Sequence, residues 1–247
     1  MESLVLHGHA TSPNPLKVAI VLQYLRVPYE VKIWEFGDDP GRGVKGEDFA
    51  RISPNGRVPA VQDPNTGVSV WESGAIINYL KRQYDRDGIL GPKDPIPQAL
   101  ADLEQWEYLL LTTLGPMTGQ LVWFKYYNVQ KNEDAIERYR KQVYRGYDVL
   151  EGQLGRSGGP AILPCGITSV DCHYEPWIRP AEYIGVSLQQ HPRIQSWLRF
   201  MAEQQAVKNA YQSIKDATAL QDPAAAERGL GPDESLLREI QLEAGQA

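Results

Sequence analysis

The chain has 247 residues, 42% of them hydrophobic and 23% charged, with a formal net charge of −6; this allows one large or two modest cores and has the balance of an ordinary globular protein. The negative balance offers phosphates no attractive field, so neither nucleic acid nor an anionic membrane surface is an expected partner. No stretch approaches the ~20 apolar residues a bilayer requires, and Met1 to His9, with no basic segment and only the short apolar run Leu4 to Leu6, does not read as a signal peptide.

In chain order, Ser3 to His9 reads as a buried strand running into the turn formers Thr11, Ser12 and Pro13,. A helix follows: Asn14 is a favoured N-cap, Pro15 suits the first helical position, and Val18, Ala19, Val21, Leu22 and Leu25 recur at helical spacing,. Val27 to Ile33 is a second strand, giving β-α-β with a right-handed crossover. Gly37 to Gly46, with four glycines, is expected to be a mobile surface loop followed by a short helix,. Val58 to Gln62 and Val68 to Trp71 flank the turn Asp63 to Gly67 and predict a hairpin,. Ser73 then starts a helix running to about Tyr84. The order β-α-β-α-β-β-α over residues 1–84 is that of the thioredoxin fold.

Residues 85–97 shift to Asp, Gly, Lys and Pro and read as a linker,. From there the periodicity is helical and predicts an all-helical domain over 98–222. A long helix spans about Ile96 to Leu114, broken or kinked at Gly115 and Pro116. Further helices are expected over Ala135 to Leu154, Thr168 to about Ile184, Pro192 to Met201 and Gln204 to Ser213. The polar tail, 223–247, carries five acidic against two basic residues and at most a short amphipathic helix over Glu234 to Leu242, too small to fold alone. The two cysteines, Cys165 and Cys172, read as small hydrophobes in a reducing, cytoplasmic setting. The four histidines form no metal-ligand spacing, so no metal is expected.

Two segments carry the chemistry: Asn55, Gly56, Arg57, Val58, Pro59, and then Trp71, Glu72, Ser73, Gly74, Ala75, Ile76. Their order and spacing resemble the glutathione site of the cytosolic glutathione transferases, a thioredoxin-like N-terminal domain followed by an all-α domain. The resemblance implies a cis bond before Pro59 and pairing of the Val58 backbone with the cysteinyl residue of glutathione, as an added strand pairs. Ser73, read as an N-cap, and the N–H groups of its helix would take the γ-glutamyl carboxylate, and Glu72 the ligand's ammonium. Arg57 and Pro59 belong to the same implied glutathione site, and Lys45 or Arg42 could meet the glycyl carboxylate.

Catalysis in this family requires the glutathione thiolate. Lowering a thiol pKa by two units takes about 2.7 kcal/mol; a charge-assisted hydrogen bond (roughly 1.5–3) and a helix N-terminus (roughly 0.3–1) together suffice without an ionised base. The thiol-activating group of the family lies in the loop at Thr11 to Asn14. There is no tyrosine or cysteine there, and no cysteine precedes Cys165, which argues against dithiol exchange. The run Ser12, Pro13, Asn14, Pro15, Leu16, Lys17, Val18 is most similar to fungal transferases related to the yeast nitrogen-catabolite regulator, which implies Asn14 as thiolate donor, with Ser12 the second choice.

The second-substrate pocket is expected near the Gly115, Pro116 break, with Tyr108, Thr112, Met117, Trp123, Phe124 and Tyr127 as candidates. Thr168, Ser169, Val170, Asp171 is a capping box, a folding element that the family also has. The function implied is addition of glutathione to an apolar electrophile. A glutathione-dependent cis-trans isomerase acting on an unsaturated substrate in secondary metabolism, and a glutathione-binding regulator without turnover, are the alternatives. The resemblance also implies a homodimer.

Overall fold

Strand β1 (Leu4–Gly8) is an interior strand of the first unit: Leu4 and Leu6 are fully buried on one face, and on the other His7 is buried and Val5 half-buried. It pairs in parallel with β2 (Tyr29–Ile33), Leu4 opposite Tyr29, and antiparallel with β3 (Ala60–Asp63), Leu6 opposite Val61. β3 in turn pairs antiparallel with β4 (Val68–Trp71). The sheet order is β2-β1-β3-β4. Helix α1 (Pro13–Tyr24) makes the crossover between the parallel strands, and α3 (Ser73–Tyr84) follows the hairpin, as a thioredoxin-like fold requires. This computed structural model describes residues 1–221, so the tail and the helix expected within it lie outside the described residues.

The glycine-rich stretch is not the loose loop its composition suggested. Gly43 N–H donates to Asp39 O at 2.8 Å, Lys45 N–H to Gly37 O at 2.9 Å and Val44 N–H to Glu35 O at 2.9 Å. A Cβ on Gly46 would lie 2.0 Å from Asp39 O and one on Gly43 2.4 Å from Gly37 O. Here glycine is used for close backbone packing, and it leads into the four-residue helix α2 (Glu47–Ala50),.

Helix α1 is apolar almost all round, and residues 15–22 are all buried, as expected of a helix covered on every side. It packs on β1, on α3 and on α9 (Gln205–Gln221). The last contact moves a boundary. A division by composition puts this last described helix in the all-helical domain, whereas it packs with the sheet: Val207, Ala210, Ile214 and Thr218 are buried, and Tyr29 Oη lies 2.7 Å from Ser213 Oγ. Among the described residues the compact units are therefore Met1–Arg86 with Gln205–Gln221, and Asp87–Gln204. An amphipathic stripe specifies that a face is buried, not which neighbour buries it.

The second unit consists of α4 (Pro97–Leu109), α5 (Gly115–Val122), α6 (Glu133–Ser157), α7 (Ser169–Ile178) and α8 (Pro192–Glu203). The expected break at Gly115 and Pro116 is a π-helical turn, Leu110–Leu114, and a second π turn, Trp123–Tyr127, ends α5. The wider turn accommodates the ring and missing donor of Pro116 without ending the helix. Gly146 on α6 permits the approach, since a Cβ there would lie 2.6 Å from Leu114 Cδ1. Helix α7 stops at Ile178, short of the expected Ile184, because Pro180 follows. The capping box is present: Thr168 N–H donates to Asp171 Oδ2 at 2.9 Å, and the Thr168 side chain accepts from Val170 N–H at 3.2 Å. Asp171 also accepts from Trp197 Nε1 and Ile162 N–H, tying α8 and the loop before α7 to that corner.

Candidate functional site

The loop from β1 into α1 is held by His9. Its ring stacks on Phe36 with centroids 3.9 Å apart, and its Nδ1 accepts from the Thr11 backbone N–H at 3.2 Å. Ser12 N–H donates to His9 O at 3.3 Å, and Ser12, not Asn14, is the N-cap, though its side chain makes no capping bond. Pro13 takes the first helical position. The offset has a chemical consequence, since the first three helical residues are Pro13, Asn14 and Pro15 and two of them carry no N–H,. Asn14 therefore brings the only backbone donor of those three positions, together with its side-chain amide, to a half-buried place at the positive end of α1,.

A second correction concerns α3. Its N-cap is Glu72, and Ser73 is the first helical residue. Glu72 has φ 70° and ψ 118°, a conformation that costs a side-chain-bearing residue of order 1–3 kcal/mol. Its side chain is exposed and accepts from Asn55 Nδ2 at 3.4 Å. The Val58–Pro59 bond is cis. Val58 precedes the paired residues of β3, and its side chain packs on the cluster of Trp34, Val44, Phe49 and Ala60. Arg57, whose carbonyl accepts from Ser53 Oγ, is exposed, and Pro59 is buried. Asn55 to Pro59 and Glu72 to Ser73 thus meet at one corner of the sheet unit.

Lys17, which sequence reasoning did not single out, joins this corner to α1. It is 2% exposed, and its Nζ lies 3.4 Å from Ser73 Oγ. Burial pushes its ammonium down to about 7, against a smaller upward pull from Glu72,. A signal was available in the sequence: Lys17 is the one charged residue in the apolar run Pro15 to Leu22, and a buried charge needs a partner.

Of the two cations offered for the glycyl carboxylate, Arg42 is engaged by Glu35 at 3.5 Å and Asp39 at 3.7 Å, on the exposed side of the glycine-rich stretch. Lys45 is exposed and runs beside Gly56, whose Cβ position lies 3.8 Å from Lys45 Cγ. In the helical unit, Tyr108, Thr112 and Trp123 are exposed, and Met117, Phe124 and Tyr127 are half-buried, while Trp106, Leu110, Leu114 and Leu121 form the core. Trp123 meets Phe124 edge to face at 4.8 Å, and Phe124 stacks on Tyr139 at 5.6 Å. Among the described residues no group of three or more His, Cys, Asp or Glu could hold a metal ion, and no helix is long and apolar enough to cross a membrane. Both cysteines are free thiols.

A thioredoxin-like sheet with this corner, followed by helices, defines the glutathione transferase class. The family model for the glutathione S-transferase N-terminal domain matches residues 2–82. The glutathione S-transferase-like protein tpcF of Aspergillus fumigatus is 36% identical over 232 residues, covering 88% of this chain and 99% of its own. Two solved structures extend the likeness. The glutathione transferase URE2P6 from Phanerochaete chrysosporium, in complex with oxidized glutathione, has 30% identity and a TM-score of 0.79, covering 87% of this chain and 98% of its own. Ure2p in complex with glutathione has 29% identity and a TM-score of 0.78, covering 85% and 98%. The chain belongs to the glutathione transferase family, and within it to the fungal branch related to Ure2.

Proposed function

We propose that this protein binds glutathione in the sheet unit and activates its thiol for addition to an apolar electrophile. The observation that carries the reading is the corner where the cis Val58–Pro59 segment meets the start of α3 at Glu72 and Ser73, linked by the Asn55 to Glu72 hydrogen bond. Such a corner suits a zwitterionic tripeptide: Val58 offers backbone for strand-like pairing, Ser73 and the α3 N-terminus receive a carboxylate, and Glu72 receives an ammonium. Lys45 is the better-placed cation for the far carboxylate, with Arg57 and Pro59 shaping the same edge. The complexes of Ure2p with glutathione and of URE2P6 with oxidized glutathione support the assignment.

The thiol is assigned to Asn14, with Ser12 as the alternative. Two amide donors on one residue at the positive end of α1 favour a thiolate over a thiol, at a strength of the order needed. Tyr108, Thr112, Met117, Trp123, Phe124 and Tyr127 are the residues proposed to receive the second substrate, because they leave apolar and aromatic surface outside the core of the helical unit. A cytoplasmic homodimer is the assembly the family relation supports.

Ser73→Ala tests the reading. It should raise the glutathione KM at least tenfold in conjugation of a model aryl halide, and an unchanged KM would sink it. The same assay separates the activities: conjugation consumes glutathione, isomerisation of an unsaturated substrate regenerates it, and tight binding with no turnover marks a regulator.

A further inference from the structure

Lys17 is buried on α1 with its Nζ against the hydroxyl of Ser73, the first residue of α3. Ser73 is itself 5% exposed. The ammonium and the N-terminus of α3 both carry positive potential, so an anion docked at Ser73 is attracted by both. We propose that Lys17 is a positioning residue for the γ-glutamyl carboxylate: as an ammonium it donates to Ser73 Oγ, leaves the Ser73 proton to be donated outward, and takes up that charge from solvent as the carboxylate docks. The inference rests on the glutathione reading above.

The direction of the hydrogen bond carries the argument. An ammonium has donors and no acceptor, so Ser73 Oγ must accept from it and the hydroxyl proton stays available to a ligand. A neutral amine has a lone pair, can accept from Ser73, and would turn that proton inward. The protonation state of Lys17 thereby sets whether Ser73 presents a donor or a lone pair to an incoming carboxylate. A bound anion favours the ammonium by charge as well, so binding draws one proton from solvent onto Nζ. Burial has brought that proton within reach of neutral pH, at about 7.

The charged and titratable groups on the elements packed against α1 are Glu72, Tyr79, Lys81, Arg82, Tyr84 and Asp85 on α3 and its caps, His7 on β1, and Lys208, Tyr211, Lys215 and Asp216 on α9. Glu72 acts on Lys17 by pulling its proton affinity up. Burial lowers the proton affinity of His7, whose Nδ1 accepts from Trp34 Nε1 at 2.9 Å and whose Nε2 is paired with Gln62 at 3.0 Å.

S-methylglutathione, whose sulfur cannot ionise, is the probe, titrated calorimetrically between pH 6 and 8 in two buffers of different ionisation enthalpy. With one proton per site and a free-state midpoint of about 7, the wild-type Kd should weaken by about tenfold from pH 6 to 8, with proton uptake upon binding. Lys17→Met should bind roughly tenfold more weakly at pH 6 and lose both the pH slope and the uptake. Lys17→Arg, charged throughout, should keep the affinity and lose the slope. Comparison with the variants removes the contribution of the ligand's own amine. A slope that persists in Lys17→Met or Lys17→Arg overturns the proposal, as does a flat wild-type profile with intact binding. If the wild type does not bind the probe at any pH, the glutathione reading itself fails and this proposal with it. Should Lys17→Met not fold, the arginine variant and the wild-type profile decide.

Discussion

Lys17 is charged in the unfolded chain up to about 10.5 but only to about 7 in the fold. The sign follows from proton counts. Between those values the unfolded state binds the extra proton, so stability rises with pH across that window, and the penalty is fully present below it. Lys17→Met should therefore be the more stable protein at pH 6.5, and urea unfolding should show its advantage shrinking by pH 10 by on the order of 4 kcal/mol. An advantage that does not change with pH would contradict the burial described for Lys17. Glu72 is the second residue at which function and stability pull apart. Glycine tolerates φ 70° at little cost, so Glu72→Gly should raise the unfolding free energy by about 1 kcal/mol while weakening glutathione binding, measured by thermal unfolding and calorimetry. Asn14→Ala should lower kcat for conjugation roughly 10- to 100-fold with little change in glutathione Kd, whereas Ser12→Ala should leave kcat within a few-fold; the reverse order would transfer the thiol to Ser12. Asn14 was legible as a favoured N-cap and through the resemblance of the run Ser12 to Val18 to the fungal transferases. Its helical position was not, since Asn14 followed by Pro15 and Ser12 followed by Pro13 are equally good cap sequences and only the backbone dihedrals choose between them,.

At the scale of elements, the start of α7 shows a local motif serving long-range packing. Asp171 accepts within the capping box from Thr168 and outside it from Ile162 N–H at 3.0 Å and Trp197 Nε1 at 2.9 Å. Burial raises its proton affinity, and these bonds oppose the rise,. Asp171→Ala would leave the Ile162 and Trp197 donors unpaired and should destabilise the helical unit by about 2–4 kcal/mol in chemical denaturation. A loss below 1 kcal/mol would mean that water replaces the carboxylate. The box was readable because its spacing is fixed by the geometry of one helical turn. The π-helical turns around α5 were not readable: Gly115 and Pro116 announce a disturbance, but whether a helix ends, kinks or widens depends on what packs against it, here Leu114 against Gly146,.

For the whole molecule, the consequential feature is that α9, the last described helix, belongs to the sheet unit. Ile214 is buried there, and its Cδ1 lies 3.8 Å from the Cβ position of Gly8. Ile214→Asp places a charge in that core and should destabilise by at least about 3 kcal/mol. Hydrogen exchange should locate the effect at β1, α1 and β2 and spare the amides of α6 and α7; loss of protection in α6 and α7 alone would contradict the unit division. The sequence by itself determined the thioredoxin-like order of strands and helices and the capping box, because each is written in local spacing, turn chemistry and apolar period; the segments around Val58 and Ser73 were legible through their resemblance to the glutathione transferases. Only the tertiary structure decided which unit holds the last described helix, that Glu72 rather than Ser73 occupies the cap, and that Lys17 lies against Ser73. Those are contacts between residues tens of positions apart or backbone angles imposed by packing, and neither is encoded in the order of nearby side chains.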